Sequence, residues 1–404
     1  MFSLSSFFSF ISCFHTFSKV KHLHALAFLV FLLNGCAQTP TPVSAPEIDL
    51  PLPPATDHLI ESPLEAPPSL PQPPFKIALL LPLTGQDQLL GNTLLQAAEL
   101  SLLENPSSSL EIFPGDTKSN ETGALDALSF LLKENDIDLI LGPLKADDVS
   151  AITPLAWEKA IPILSFSNTP SVAGDHVFIM GYAPAEQIKT IISYALSQGL
   201  RQFIALVPEG DYGKLVIQTL RQELSTHHGT LKEVLYDTGE NFNTLVKELN
   251  LEGVDALVIP EGGIRLNTIL AMLNENTSYQ ALKPRLLGSG QWDDETIYRH
   301  PLLQKAWFPG MMRSPQGDSF IKTYEEAYGQ HPSRLAFLGY DGITIAGQVA
   351  HDLQNSVSQV LTRSEGFEGL EGHFSFTPQG HIIRGWSIFE ISPEGPRLLT
   401  PTMA

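Results

Sequence analysis

Cysteine is almost absent: Cys13 and Cys36 are the only two in 404 residues. A disulfide framework and a thiolate zinc site are therefore excluded beyond one bridge. Basic residues are scarce too, 24 Lys and Arg against 44 Asp and Glu, for a formal charge of −20. Such a surface repels phosphate backbones, so no nucleic-acid partner is expected. The signatures of several enzyme classes are missing as well. The run Glu209 to Lys214 has glycines and a lysine without phosphate-cradling spacing, and no G-x-G-x-x-G follows a strand, because Gly288 and Gly290 lead to Gln291 and Trp292. There is no H-E-x-x-H and no G-x-S-x-G, and His227 and His228 point apart on a helix end. Ser319 and Lys322 fit S-x-x-K without that class's companion motifs and read as an amphipathic helix, while Asp293 and Asp294 read as solvated surface. Neither an enzyme, a metal site nor a cofactor is expected.

The chain begins with residues of quite different character. Lys19 and Lys21 precede an uninterrupted apolar run from Ala25 to Leu33, followed by the small residues Gly35 and Cys36. A basic flank, nine apolar residues and a small-residue exit predict a secretory signal over residues 1–35, too short to span a bilayer; the competing reading is an anchor helix starting farther upstream. Leu33 to Cys36 resembles a bacterial lipobox, which implies acylation of Cys36 as the new N-terminus and stable anchoring through several acyl chains. Ala37 stands where an aspartate would resemble an inner-membrane retention signal, so the periplasmic face of a Gram-negative outer membrane is favoured over the inner membrane.

From Ala37 to Pro74 the chain holds twelve of its 31 prolines, five acids, no glycine and no lysine or arginine. That density excludes helix and predicts an extended tether of residues 36–74, on the order of 100 Å long at about 3.1 Å per residue. It reads equally as a spacer or as a linker with no length requirement.

Phe75 onward alternates short apolar runs with helical patterns. Strands are predicted at Lys76 to Pro82, Leu110 to Phe113, Asp138 to Gly142, Ile161 to Phe166 and Val177 to Met180, with helices between them. The pattern restarts with a helix at Gln187 to Gln198 and strands at Phe203 to Val207, Ala256 to Ile259 and Arg285 to Gly288. Such alternation specifies parallel sheets covered on both faces. The expected class is α/β, two doubly wound lobes with a cleft between them. Lobe 1 is placed at about 75–182 plus 311–365, and lobe 2 at about 183–310 plus a C-terminal hairpin at about 366–397.

The segments LLLPLTG, ILGP, IPILSFSNT, DYG and the closing GHFSFTPQG, in this order, resemble type I periplasmic-binding proteins of the leucine-binding kind from Phe75 to about Arg397. That resemblance implies a ligand cleft between the lobes. Ala146 stands where amino-acid binders carry a serine, whereas the hydroxyl residues that grip an α-carboxylate correspond to Ser167 and Thr169, and an aromatic contact to Tyr212. The opposing aromatic falls near Gly263, and the acid that pairs with the ammonium near Gly290 or Gln291, so neither partner is present. An ammonium closed into such a cleft without a carboxylate loses several kcal/mol of pairing. Loop capping by Ser167 and Thr169, and a packing role for Tyr212, are the bland alternatives.

The leader, the proline tether, the GSGQWDD run and the terminal hairpin are similar to the penicillin-binding protein activators. Those are outer-membrane lipoproteins whose binding-protein-like domain touches a peptidoglycan synthase. This resemblance implies a non-enzymatic activator acting by protein contact, with Trp292 and Trp307 as interface anchors or, alternatively, as buried lobe packing. The other reading is a solute receptor for an ABC permease, with a small carboxylate or amino acid as ligand.

Overall fold

Four short apolar segments buried on both sides, and one half-exposed edge strand, build the first sheet. β1 (Phe75–Leu81), β2 (Leu110–Asp116), β3 (Leu139–Leu141), β4 (Ile163–Ser165) and β5 (Val177–Ile179) lie parallel in the order β2-β1-β3-β4-β5. They belong to a computed structural model that describes residues 73–105, 109–237, 242–352 and 354–403. The predicted leader, Cys36 and the tether up to residue 72 lie outside the described residues. The crossovers are α1 (Gln88–Glu104), α2 (Glu121–Glu134) and α3 (Ala146–Glu158). Asn120 starts α2 by accepting a hydrogen bond from the Gly123 N–H at 2.9 Å. Ile77, Leu79, Leu141 and Phe166 form the core on one face of this sheet, and Ala78, Leu80, Ile140 and Ile163 that on the other.

The second lobe repeats the plan. α4 (Pro184–Ser197) leads to β6 (Gln202–Pro208), α5 (Asp211–Thr226), β7 (Thr230–Tyr236), α6 (Phe242–Lys247), β8 (Ala256–Val258), α7 (Gly263–Glu275), α8 (Thr277–Leu282), β9 (Arg285–Leu287) and β10 (Trp307–Gly310). The chain then returns to lobe 1 through α9 (Pro315–Tyr328), α10 (Arg334–His351) and α11 (Val357–Leu361). Ser314 caps α9 through the Gly317 N–H, Pro315 occupies its first position, and Gly329 closes it in a left-handed conformation. Phe320 and Tyr324 of α9 and Phe337 and Tyr340 of α10 pack with Ala97 and Leu100 of α1.

The tail departs from expectation. It divides instead of forming one hairpin on lobe 2. β11 (Phe367–Gly369), β12 (Gly372–Phe376) and β13 (Ile382–Arg384) make a separate antiparallel sheet, whose Phe367, Phe374 and Phe376 enter the lobe 1 core. After Gly385, β14 (Trp386–Ser392) pairs antiparallel with β10 and with β15 (Gly395–Met403), giving the lobe 2 sheet the order β15-β14-β10-β9-β8-β6-β7. Residues 366–384 therefore belong with lobe 1. The physical reason is three phenylalanines that find burial there. The lobe 2 sheet is parallel from β7 to β10 and antiparallel at its β14 and β15 edge.

The chain thus crosses between lobes three times, near Tyr182, at residues 311–314 and at Gly385. Trp292 and Trp307 are 0% and 7% exposed and pack inside lobe 2, so the anchor reading fails for both. Trp292 lies directly over Gly288, where any Cβ would run into the indole ring. Its Nε1 donates to the Glu261 carbonyl at 2.8 Å. Trp292→Phe should cost about 1–2 kcal/mol, because a buried carbonyl loses its donor; urea denaturation measures the change.

Candidate functional site

Ligands of open parallel sheets bind beyond the carboxyl ends of the strands, and the polar loops collect there in both lobes. In lobe 1 these loops line a cleft of about 440 Å³, which includes Asp87, Lys145, Ala146, Ser167, Thr169 and Tyr182. Ala146 is the first residue of α3, so its N–H belongs to a helix terminus facing the cleft wall. Behind it the β4 loop is tied by serine hydroxyls. Ser165 Oγ donates to the Pro143 carbonyl at 2.7 Å and accepts the Ser167 N–H at 3.0 Å, and Ser167 Oγ accepts the Thr169 N–H at 3.2 Å. The Thr169 hydroxyl makes no hydrogen bond among the described residues. Lys145 is engaged, donating to the Ser119 carbonyl at 2.9 Å with Asp87 at 3.7 Å, so it is not a free cation for an anionic ligand.

Two further acids lie near these loops without lining the cleft. Burial tends to raise the Asp116 carboxyl, but hydrogen bonds from Thr84, Lys118 and Leu83 hold it below its ordinary value. It ties the loop after β1 to the end of β2. Asp148, on the first turn of α3, is 1% exposed, with only the Thr117 hydroxyl and the Lys145 charge nearby among the described residues to offset its burial. Burial raises its pKa against the opposing charge of Lys145.

The facing wall of lobe 2 is closed on itself. The Pro260 carbonyl accepts from Tyr212 Oη at 2.8 Å, from Gln291 Nε2 at 3.3 Å and from Ser289 Oγ at 3.5 Å. Burial pushes the Tyr212 hydroxyl up to about 12, so it is a neutral donor at physiological pH. Tyr212 can sit there because Gly213, next in α5, lets the backbone approach the Pro208 carbonyl, a place no Cβ fits. Gly263 opens α7 with φ +55°, exposed, and a Cβ there would meet nothing within 4 Å. An acid is nevertheless present: Glu261 accepts from the Tyr236 hydroxyl at 2.5 Å and influences Tyr212 electrostatically.

The predicted residues therefore fall into two groups. Ala146, Ser167 and Thr169 share the lobe 1 cleft. Tyr212 and Gln291 meet at Pro260, and Gly263 lies apart at an open helix start. No lobe 2 residue past Tyr182 lines the 440 Å³ cleft. Sequence reasoning missed Glu261, whose neighbourhood carries no motif, and it missed the hinge. There, Tyr182 Oη donates to Glu371, Arg334 Nε donates to Glu371 at 3.2 Å, and Arg334 Nη1 donates to the Gly290 carbonyl of lobe 2 at 3.0 Å. Gln187 accepts the Gly290 N–H at 2.8 Å. Among the described residues no group of three His, Cys, Asp or Glu is arranged to hold a metal, and no helix is long and apolar enough to cross a membrane.

The family described as periplasmic binding protein matches residues 74–396. The leucine binding protein LivK of Thermotoga maritima superposes with a TM-score of 0.62 at 19% identity, over 81% of this chain and 98% of that one. A penicillin-binding protein activator, LpoA of Mannheimia succiniciproducens, is 32% identical over 142 residues, 34% of this chain and 24% of its own. An uncharacterised protein of Rickettsia prowazekii is 28% identical over 183 residues, 44% of this chain and 48% of its own. The chain thus spans less than half the length of these two curated relatives. The fold is that of leucine-binding-like type I periplasmic proteins.

Proposed function

The chain belongs to the periplasmic binding protein family, and from that premise we propose that it is a non-enzymatic lipoprotein. Lipid on Cys36 anchors it to the periplasmic face of the outer membrane, where it activates a peptidoglycan synthase by protein contact. The observation that carries this reading is the closed lobe 2 wall. Tyr212, Ser289 and Gln291 all turn to the Pro260 carbonyl, and Gly263 supplies no aromatic to grip a solute. Partial similarity to several penicillin-binding protein activators points the same way. The activity of those longer proteins comes to this chain only as part of the proposal.

A second reading is a solute receptor, with Ser167, Thr169 and Tyr212 holding a small carboxylate or amino acid and lobe closure presenting it to an ABC permease. The lobe 1 cleft with its unpartnered Thr169 hydroxyl favours it. A thermal-shift screen of the full-length protein against amino acids, small carboxylates and muropeptides separates the two. A receptor gains about 2.7 kcal/mol at a hundredfold excess over its dissociation constant. The activator reading expects no gain with amino acids or small carboxylates, and co-purification with a peptidoglycan synthase. A solute-dependent gain that disappears in Thr169→Ala and Tyr212→Ala would replace it with the receptor.

A further inference from the structure

The opposite pole of lobe 2 carries a second cavity, of about 580 Å³, where the parallel strands begin. Its lining includes Asp255, which precedes β8, and Arg285, which opens β9, so it lies at the other end of the sheet from Pro260 and Ser289. This volume is within the range of small-molecule sites. Leu282, Pro284 and Leu302 give it apolar walls.

In a chain this acidic, the charge of the lining is unexpected. It holds three cations, Lys283, Arg285 and Lys305, against one acid, Asp255. Asp255 is engaged, since one of its oxygens accepts the backbone N–H groups of Arg201 and Gln202 at 2.8 and 2.9 Å. The ammonium groups of Lys283 and Lys305 have neither an ion pair nor a hydrogen bond among the described residues. Arg285 lies over the Trp307 ring at 4.4 Å and donates to the Lys305 carbonyl, which fixes the guanidinium in place at the rim.

Two independent features indicate that this end is built to meet a ligand. Tyr279 lines the cavity with most of its ring buried, while its hydroxyl has no hydrogen-bond partner among the described residues and is not enclosed by protein, so it is free to donate to whatever fills the cavity. Secondly, Lys283 and Lys305 both adopt left-handed backbone, at φ +46° and +68°. Glycine or asparagine is the usual occupant of such positions, so lysine there places charge at some conformational expense.

We propose that this cavity is a second ligand site, distinct from the lobe 1 cleft, that takes a carboxylate carried on an apolar body. The carboxylate sits between Lys283 and Lys305 with Arg285 behind them, the Tyr279 hydroxyl donates to it, and the apolar body fills the space along Leu282 and Leu302. The same chemistry is offered by a small aryl-alkyl carboxylate and by an acidic side chain beside apolar residues in a partner's peptide segment. This site does not depend on which reading of the lobe 1 cleft holds.

Hydrogen–deuterium exchange of the full-length protein in detergent, with phenylpropionate, its neutral amide and a capped Asp-Leu-Phe peptide as probes, tests the proposal. Protection is expected at residues 279–286 and 300–306 with the carboxylates and not with the amide. In titrations Lys283→Ala combined with Lys305→Ala should weaken binding by about tenfold or more. Tyr279→Phe should weaken it severalfold, with the exchange of the rest of lobe 2 unchanged. Binding of phenylpropionate alone identifies a solute site, and tighter binding of the peptide identifies a protein segment as the source. Protection equal with the amide, protection confined to the cleft loops at 144–147 and 165–169, or none with any probe would overturn the proposal.

Discussion

Glu371→Ala should lower the unfolding free energy by about 3–5 kcal/mol, the range for removing one partner of a buried ion pair. Glu371 sits in the turn between β11 and β12 with its side chain 2% exposed, and Arg334 at the start of α10 is 19% exposed. The carboxylate accepts from Tyr182 and from Arg334 together. Removing it leaves a guanidinium that already has one unpartnered nitrogen, Nη2, and a tyrosine hydroxyl that retains only the Arg334 carbonyl at 3.2 Å. Burial alone would depress the Arg334 pKa, but Glu371 holds it above the ordinary value. Burial and then the Glu371 charge raise Tyr182 well above its own. Arg334 also lies over the rings of Tyr182 at 4.4 Å and Trp386 at 5.4 Å, so the cluster binds two of the three interlobe crossings.

Glu371→Gln, which retains an acceptor without the charge, should recover part of the loss. Replacing Glu371 and Arg334 together by apolar residues should cost less than Glu371→Ala alone, because no uncompensated charge remains. Urea denaturation reads these differences. Small-angle scattering adds a second readout, since Arg334 Nη1 to the Gly290 carbonyl is a direct link between lobes. Loss of Arg334 should widen the distribution of interlobe distances, whereas an unchanged profile would limit the cluster to a stabilising role.

None of this cluster is legible in the sequence. Residues 182, 290, 334, 371 and 386 are scattered over some two hundred positions, and no motif links them. What was legible is what local periodicity carries. The strands β1, β3 to β6, β8 and β9 lie within a few residues of their expected places, because a strand buried on both faces reads as a continuous apolar run. The helix expected at Gln187 begins a turn earlier, at Pro184. Its first residues, Pro184, Ala185 and Glu186, are not buried, so the apolar periodicity that marks a helix starts only at Gln187 and Ile188. The tail was misassigned for a related reason. Alternation continues from β13 into β14 without interruption, and only Gly385 marks the point where the chain changes lobe. In the candidate site, Ser167 and Thr169 were readable because one loop holds them. Glu261 was not, since only folding brings it beside Tyr212 and Tyr236.

The second large effect belongs to Asp341, in the middle of α10. It is 3% exposed; one carboxylate oxygen accepts the Leu370 N–H at 3.0 Å and the other has no hydrogen-bond partner among the described residues. Burial pushes its pKa up to about 7, against the opposing charge of Arg384 and the Leu370 hydrogen bond, with Glu371 adding to the rise. The folded state therefore binds this proton more tightly than the unfolded chain, whose aspartates titrate near 3.9. The associated stability is fully present below about pH 4 and is lost as pH rises through about 7, on the order of 4 kcal/mol in all. Asp341→Asn, which cannot ionise, should flatten that slope. The variant should be more stable than the wild type at about pH 8 and lose most of that advantage at about pH 5. Denaturation midpoints across this range measure the difference, and parallel curves for the two proteins would show that Asp341 stays ionised. Asp341 and Arg334 both interact electrostatically with Glu371. The Asp341→Asn and Glu371→Ala effects should therefore be non-additive, with the pH slope of Asp341 shallower once the neighbouring carboxylate is gone.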